Sequence, residues 1–91
     1  MGIHIRVAGV FGGTPLNETF EEPVKKNDTP KKILARLDKK KVMGRKFFRG
    51  VVKGGRATLL LNGERLDSSK AMDKTLADGD EISIISAIAG G

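Results

Sequence analysis

Two alternating apolar segments, one near each end of the 91-residue chain, constrain the fold most strongly. Residues 3–10 (IHIRVAGV) place Ile3, Ile5 and Val7 on one side of an extended chain and polar residues between them. Residues 81–88 (EISIISAI) repeat the alternation. Period-two alternation is typical of a strand with one buried face. Since these segments are the most apolar, we expect two strands lying side by side in the middle of a sheet.

A single clear helix is expected between these strands. In NDTPKKILARL, Asp28 or Thr29 can cap the helix, and Pro30 suits its first position because a proline lacks the N–H that would be left unpaired there. An apolar stripe with helical spacing follows, formed by Ile33, Leu34 and Leu37. We expect Gly44 to terminate this helix.

The other segments are shorter. FGGTPLN (11–17) is interpreted as loop, and 18–24 as a weaker strand that ends near Pro23. A further strand runs into Asn62-Gly63, a strong hairpin signal, and returns. ADGD predicts a turn before the last strand. The order strand, strand, helix, strand, short strand, strand predicts one α+β domain, in which one main helix packs across a mixed sheet.

Positive charge is concentrated in one segment. The chain has a net charge of +6, and residues 39–56 (KKKVMGRKFFRGVVKGGR) hold eight basic residues and no acidic one. This basic insertion is either a solvated connection or a contact for an anionic partner, a nucleic acid or an acidic enzyme. Phe47 and Phe48 could stack on bases, but beside Val51 and Val52 they are more typical of a core. The candidate contacts are Lys39, Lys40, Lys41, Arg45, Lys46 and Arg49.

Composition excludes several kinds of chemistry. The chain has no cysteine, which rules out disulfides, a cysteine nucleophile and a cysteine persulfide. Its one histidine argues against a structural zinc site. It has no apolar run near the ~20 residues that cross a bilayer. With no secretory pattern at its start, we expect a cytoplasmic protein without bound metal or cofactor.

The C-terminal third resembles a known family. The hairpin LLLNGERLD, the turn and strand LADGDEISII and the ending SAIAGG are similar to those of ubiquitin-like sulfur carriers. Among these, the small subunit of molybdopterin synthase (MoaD type) is the most similar, and the thiamine carrier (ThiS type) is its relative. The resemblance is strong over 57–91, moderate over 1–40 and poor over 41–56. Ser86 departs from the family, which often has proline nearby, and a length of 91 residues argues against the shorter ThiS type.

This resemblance implies a ubiquitin-like β-grasp domain over 1–91 with a flexible Gly-Gly tail at 88–91. It also implies a carrier rather than an enzyme. An adenylating enzyme of the MoeB or ThiF type would use ATP to activate the Gly91 carboxylate, beside Gly90, and a sulfur donor would convert it to a thiocarboxylate. The synthase large subunit (MoaE type) would then accept the tail. The implied partner contacts are Ile85, Ile88 and Ala89.

Ile85 also stands out from the residues alone, because it is apolar on the side of the last strand that otherwise carries Glu81 and Ser83. An apolar side chain at such a position is typical of a protein interface. The glycines of the tail would let it enter a narrow channel that side chains would block.

Three other functions stay open at this point. Similar tails occur in carriers for thiamine, cysteine synthesis and tRNA thiolation. They also occur in small protein modifiers, in which Gly91 would be linked to a lysine of a target protein. A function of another class, a small basic nucleic-acid-binding domain, would depend on residues 39–56 and would bind less tightly as salt increases.

Overall fold

The computed structural model describes residues 2–54, 57–66 and 69–86. Its elements, in chain order, are β1 (Gly2–Phe11), β2 (Thr14–Pro23), α1 (Pro30–Lys39), α2 (Phe47–Gly54), β3 (Ala57–Leu61), β4 (Glu64–Arg65), α3 (Ser69–Met72) and β5 (Glu81–Ser86). The strands form one sheet in the order β2-β1-β5-β3-β4. β1 and β5 pair in parallel at the centre, whereas the β1–β2, β5–β3 and β3–β4 pairs are antiparallel. The predicted central pairing in a mixed sheet is therefore confirmed.

The core lies on one face of this sheet, between the sheet and α1. The inward positions alternate as predicted, and Ile5 of β1 and Ile82 of β5, which are partners in the parallel ladder, both have no exposed surface. The apolar stripe of α1 is at most 3% exposed and consists of Ile33, Leu34 and Leu37. Burying a side chain of this size stabilises the fold by about 1.5–3 kcal/mol, so the sheet face and this stripe specify each other.

α1 begins where the sequence predicts and ends earlier than expected. Thr29 is the N-cap: its hydroxyl accepts the N–H of Lys32 at 3.2 Å, and Pro30 occupies the first turn. The last helical residue is Lys39, and Lys41 already has a left-handed φ of 58°. The expected end at Gly44 is wrong because the chain leaves the helical conformation before it reaches the glycine.

The first hairpin is longer than expected. Only Gly12 and Gly13 form its turn, and both have positive φ, 57° and 83°. Two-residue turns of this hand match the twist of antiparallel strands. Phe11 therefore pairs directly with Thr14, and residues 14–17 belong to β2 instead of the predicted loop. The strand ends at Pro23, as the sequence indicates.

The sequence analysis assigned no secondary structure to residues 45–56, and this part of the basic insertion contains α2. Its start is fixed by Asp38 of α1, whose carboxylate accepts the N–H of Phe48 at 2.9 Å and of Arg49 at 2.8 Å. A carboxylate at this position satisfies two unpaired N–H groups and interacts favourably with the helix dipole. Phe48 has no exposed surface, so the interpretation of this ring as a core residue is confirmed and its face is not available to a base.

Four charged side chains close the edge of the core between β2 and α1. Arg36 pairs with Asp28 at 2.8 Å and with Glu22 at 3.4 Å, and the Lys40 Nζ lies 2.9 Å from the Glu22 carboxylate. Burial opposes the ionisation of Asp28, but the N–H of Lys25 and the Arg36 guanidinium outweigh it and hold the pKa of this carboxyl below its ordinary value. Among the described residues, no buried side-chain nitrogen or oxygen lacks a hydrogen-bond partner.

The second hairpin is confirmed at Asn62-Gly63, where φ is 51° and 86°. The Asn62 amide also crosses to the next turn: it donates to the Asp80 carboxylate and accepts the N–H of Glu81, both at 2.9 Å. Because Glu81 is the first residue of β5, these bonds fix the start of the last strand. The final two residues of the predicted strand, 87 and 88, lie outside the described residues.

Candidate functional site

β5 is held firmly at the end that precedes the tail. Ser86, its last residue, is 8% exposed, and the Ser86 hydroxyl donates a hydrogen bond to the carbonyl of Val10 on β1. Next to it, Gly9 has φ 126°, and a Cβ at Gly9 would lie 2.7 Å from the Ser86 carbonyl oxygen. Only glycine fits there, because both the conformation and the close approach exclude a side chain. The structure therefore fixes the point from which residues 87–91 continue.

The contribution of Gly9 and Ser86 was missed by the sequence reasoning. Ser86 was noted only as a departure from the family. A glycine inside an alternating strand is a signal of close backbone approach, and Gly9 in IHIRVAGV was such a signal. Its partner could not be identified, since the contact joins residues that are far apart in the chain.

Ile85 lies on the sheet face opposite to α1. It pairs with Ala8 of β1 on one side and with Thr58 of β3 on the other. Leu60 and Ser83, which pair with each other, share this face. All five side chains are half-buried. We call these five residues the Ile85 surface. It is a small, mainly apolar patch centred one residue before the end of β5.

The remaining residues of the predicted tail site are Ile88, Ala89, Gly90 and Gly91. They lie outside the described residues.

The predicted basic contacts do not form one cluster. Lys39, Arg45, Lys46 and Arg49 surround a groove between α1 and α2. Lys40 instead pairs with the buried Glu22. Lys41 is exposed in the connection after α1 and is not part of the groove wall.

The described part of the chain offers neither a metal site nor a membrane span. Within residues 2–54, 57–66 and 69–86, no three side chains of the metal-binding types come together. None of the helices in these ranges has the length and apolar character needed to cross a membrane.

A mixed sheet with its first and last strands parallel at the centre, and one main helix packed across one face, defines the ubiquitin-like β-grasp class. The ThiS family model matches residues 14–91, and the chain belongs to the ThiS family. This is the family of the sulfur carriers that the C-terminal sequence resembles, so the recognition of a MoaD/ThiS-type carrier is confirmed.

Several solved structures are similar to this chain, and the two with TM-scores above 0.5 agree on the fold. Urm1 from Trypanosoma brucei aligns with a TM-score of 0.60 and 22% identity, over 97% of this chain and 95% of that one. The Haloferax volcanii protein HVO 2177 gives 0.51 and 18%, over 98% and 87%. A chain from the complex of subunits 1 and 2 of the molybdopterin-converting factor of Helicobacter pylori 26695 gives 0.48 and 22%, over 97% and 99%. A search of curated proteins found no match.

Proposed function

We propose that this protein is a sulfur carrier, which an ATP-using enzyme adenylates at the Gly91 carboxylate and a sulfur donor then converts to a thiocarboxylate. The observation that carries the proposal is the match to the ThiS family, which extends through Gly91. The fixed end of β5 supports it, because the tail then starts from a defined position next to the Ile85 surface.

The chemistry requires little from the carrier itself. A carboxylate is a poor electrophile, and attack of the Gly91 carboxylate on the α-phosphorus of ATP releases pyrophosphate and leaves an acyl-adenylate. Hydrosulfide from the donor then attacks the acyl carbon and displaces AMP, which leaves the thiocarboxylate without a change of oxidation state. Since the chain has no cysteine, it cannot hold this sulfur as a persulfide, and its C-terminal acyl group is the natural site. The activating enzyme supplies the catalytic groups, and its need for ATP supports a cytoplasmic location.

We propose that the sulfur is used in molybdopterin biosynthesis. The large subunit of the synthase would bind the Ile85 surface together with Ile88 and Ala89. The similarity of LLLNGERLD, LADGDEISII and SAIAGG to MoaD-type sequences supports this choice. A half-buried isoleucine on an otherwise mixed sheet face supports the contact, because a few side chains near the centre of an interface contribute most of its binding energy.

The first test uses the missing cysteines. The protein is treated with the activating enzyme, ATP and a sulfur donor, then labelled with a thiol-selective alkylating reagent and analysed by peptide mass spectrometry. We expect the label on the peptide that contains Gly91. Mass alone would not suffice, because oxygen-to-sulfur exchange and methionine oxidation each add about 16 Da, and the chain has three methionines.

The matched control for this test is a chain without Gly91, which should fold normally and take no label. An unlabelled wild-type chain would contradict the sulfur-carrier proposal. If Gly91 were instead found linked to lysines of other proteins, the protein would be a modifier.

The second test concerns the Ile85 surface. We expect Ile85→Ser to weaken binding of the large subunit at least about tenfold, because it removes an apolar anchor from the interface. Val42→Ser, at a 38% exposed valine in the connection after α1, should not change the affinity. Binding is measured by titration calorimetry, and equal affinities for both variants would show that Ile85 is not a contact.

A further inference from the structure

We propose that the groove between α1 and α2 binds an acidic, amphipathic segment of a partner protein. The groove has a volume of about 550 Å³, and its floor is apolar. Leu34 and Ala35 of α1, Val52 of α2 and Met72 of α3 form this floor above the buried Phe48. Val52 is 41% exposed, so its apolar surface is available to an occupant of the groove. The site lies on the helix side of the molecule and is therefore distinct from the Ile85 surface.

The rim of the groove carries positive charge on both sides. Its basic residues are Lys31, Lys39, Arg45, Lys46, Arg49 and Lys53. Among the described residues that line it, Asp38 alone is acidic, and both of its carboxylate oxygens accept N–H groups of α2. An occupant must therefore bring its own negative charges to the rim and apolar side chains to the floor.

The spacing of the rim favours a helical occupant that lies along the groove. Lys31 and Lys39 are eight positions apart on α1, which corresponds to about 12 Å at 1.5 Å per residue. Arg49 and Lys53 lie one helical turn apart on α2, on the other side. Charges distributed in this way match several carboxylates spread along one or two turns of a peptide, with apolar side chains between them.

Three other occupants fit less well: a free phosphate, a single-stranded nucleic acid and a second copy of this chain. A free phosphate would bind at the N–H groups that begin α2, but the Asp38 carboxylate already occupies them. A single-stranded nucleic acid would need aromatic faces for stacking, whereas Phe48 has no exposed surface and the remaining floor is aliphatic or methionine. A second copy of this chain would bring the same basic rim against itself, which like-charge repulsion disfavours.

The test uses a synthetic peptide and the full ¹⁵N-labelled chain. The peptide has about 14 residues, with leucines spaced to form one helical face and glutamates beside them. A control peptide has lysine in place of every glutamate. We expect the acidic peptide to shift backbone amide resonances of α1 and α2 around the groove, and the lysine peptide to leave them unchanged.

Charge-matched variants sharpen the test. Lys31→Glu combined with Lys53→Glu places one reversal on each side of the groove and should weaken binding of the acidic peptide at least about tenfold. Lys26→Glu combined with Lys74→Glu changes the net charge equally at exposed positions away from the groove, and should change the affinity by less than about twofold. Circular dichroism checks that both double variants are folded.

Val52 tests the floor separately from the charges. Val52→Asp should also weaken the acidic peptide, whereas Val42→Asp, at the other exposed valine, should not. The proposal would be overturned by an absence of shifts at peptide concentrations up to about 1 mM, by shifts confined to the Ile85 surface, or by equal weakening in both charge-reversed variants. Tighter binding of an oligouridylate than of the acidic peptide at these amides, or their perturbation by self-association, would overturn it as well. The labelling test at Gly91 concerns the proposed sulfur-carrier function, and neither of its outcomes bears on the groove.

Discussion

The two central strands and the basic segment are attached to the core in different ways. β1 and β5 bury alternate side chains along most of their length: three residues of β1 and two of β5 have no exposed surface. In residues 39–54, Phe48 alone is fully buried, and the Asp38 carboxylate fixes the start of α2. A repeated local pattern therefore specifies the strands, whereas a few contacts specify α2. In the strands, the loss of stability should be shared among many positions. In the basic segment, it should be concentrated at the few residues that make these contacts.

The largest effect should come from Phe48. Phe48→Ala removes a fully buried ring and leaves a cavity between α2 and the core, so we expect a loss of about 3–5 kcal/mol in the free energy of unfolding, measured with urea. Val52→Ala, four residues later and 41% exposed, should change it by less than about 0.5 kcal/mol. Similar small values for both variants would mean that α2 is only a solvated attachment.

Gly9 of β1 tests the close contact between the two central strands. Gly9→Ala should cost about 3 kcal/mol, because φ 126° excludes a side chain and the new Cβ would meet the Ser86 carbonyl oxygen at 2.7 Å. Gly12→Ala is the matched control: it also has a positive φ, 57°, but open space around it, so about 1 kcal/mol is expected. Thermal unfolding followed by circular dichroism separates the two, and equal losses would show that the contact with Ser86 is unimportant.

The same contrast explains what the sequence could predict. Alternation, a cap at Asp28 or Thr29 followed by Pro30, and the Asn62-Gly63 turn are local signals. They correctly predicted the central strands, the start of α1 and the second hairpin. Helix α2 was not predicted, because its start depends on a carboxylate ten residues earlier and its burial on a distant sheet. The first hairpin was misjudged for a smaller reason: Gly12-Gly13 was taken as part of a loop although paired glycines also form tight turns.

In the candidate site, too, the sequence shows local signals but not contacts between residues that are far apart in the chain. Ile85 could be found from the sequence, because it breaks an alternation that its own strand defines. The hydrogen bond from Ser86 to Val10 could not, since it joins residues 76 positions apart. The basic segment left open either a solvated connection or an anionic partner, and the groove that combines its charges with an apolar floor exists only after α2 packs on α1.

Besides the buried Phe48 ring, the Asp38 carboxylate attaches the basic segment to the rest of the fold. Asp38→Ala leaves the N–H groups of Phe48 and Arg49 without their acceptor, and we expect a loss of about 1–2 kcal/mol in the free energy of unfolding. Asp73→Ala, an exposed aspartate after α3, should have a much smaller effect. Amide hydrogen exchange gives a more local measurement: protection should fall in α2 and persist in β1 and β5. A uniform fall in protection would contradict the separate attachment of the two regions.

The smallest effect concerns a third region, which connects β2, α1 and the turn before β5. Asp28 pairs with Arg36 through its carboxylate, and its carbonyl accepts the N–H of Leu76 at 2.8 Å. Asp28→Asn keeps the shape and the backbone contact but removes the charge, so we expect a loss of about 1 kcal/mol at neutral pH, allowing for the partial exposure of Arg36.

The stabilisation that the Asp28 charge provides should be lost at acid pH. The folded protein holds the pKa of Asp28 below its ordinary value of 3.8, so the ionised form favours folding. Its contribution is complete above that ordinary value and is lost as the pH falls through the lower folded value. Urea midpoints measured from neutral pH to about pH 2 should therefore converge for wild type and Asp28→Asn at the acid end. Asp78→Asn, at an exposed turn position, should follow the wild type throughout. A constant difference between wild type and Asp28→Asn at every pH would mean that the loss comes from altered side-chain hydrogen bonds of residue 28 and not from its charge.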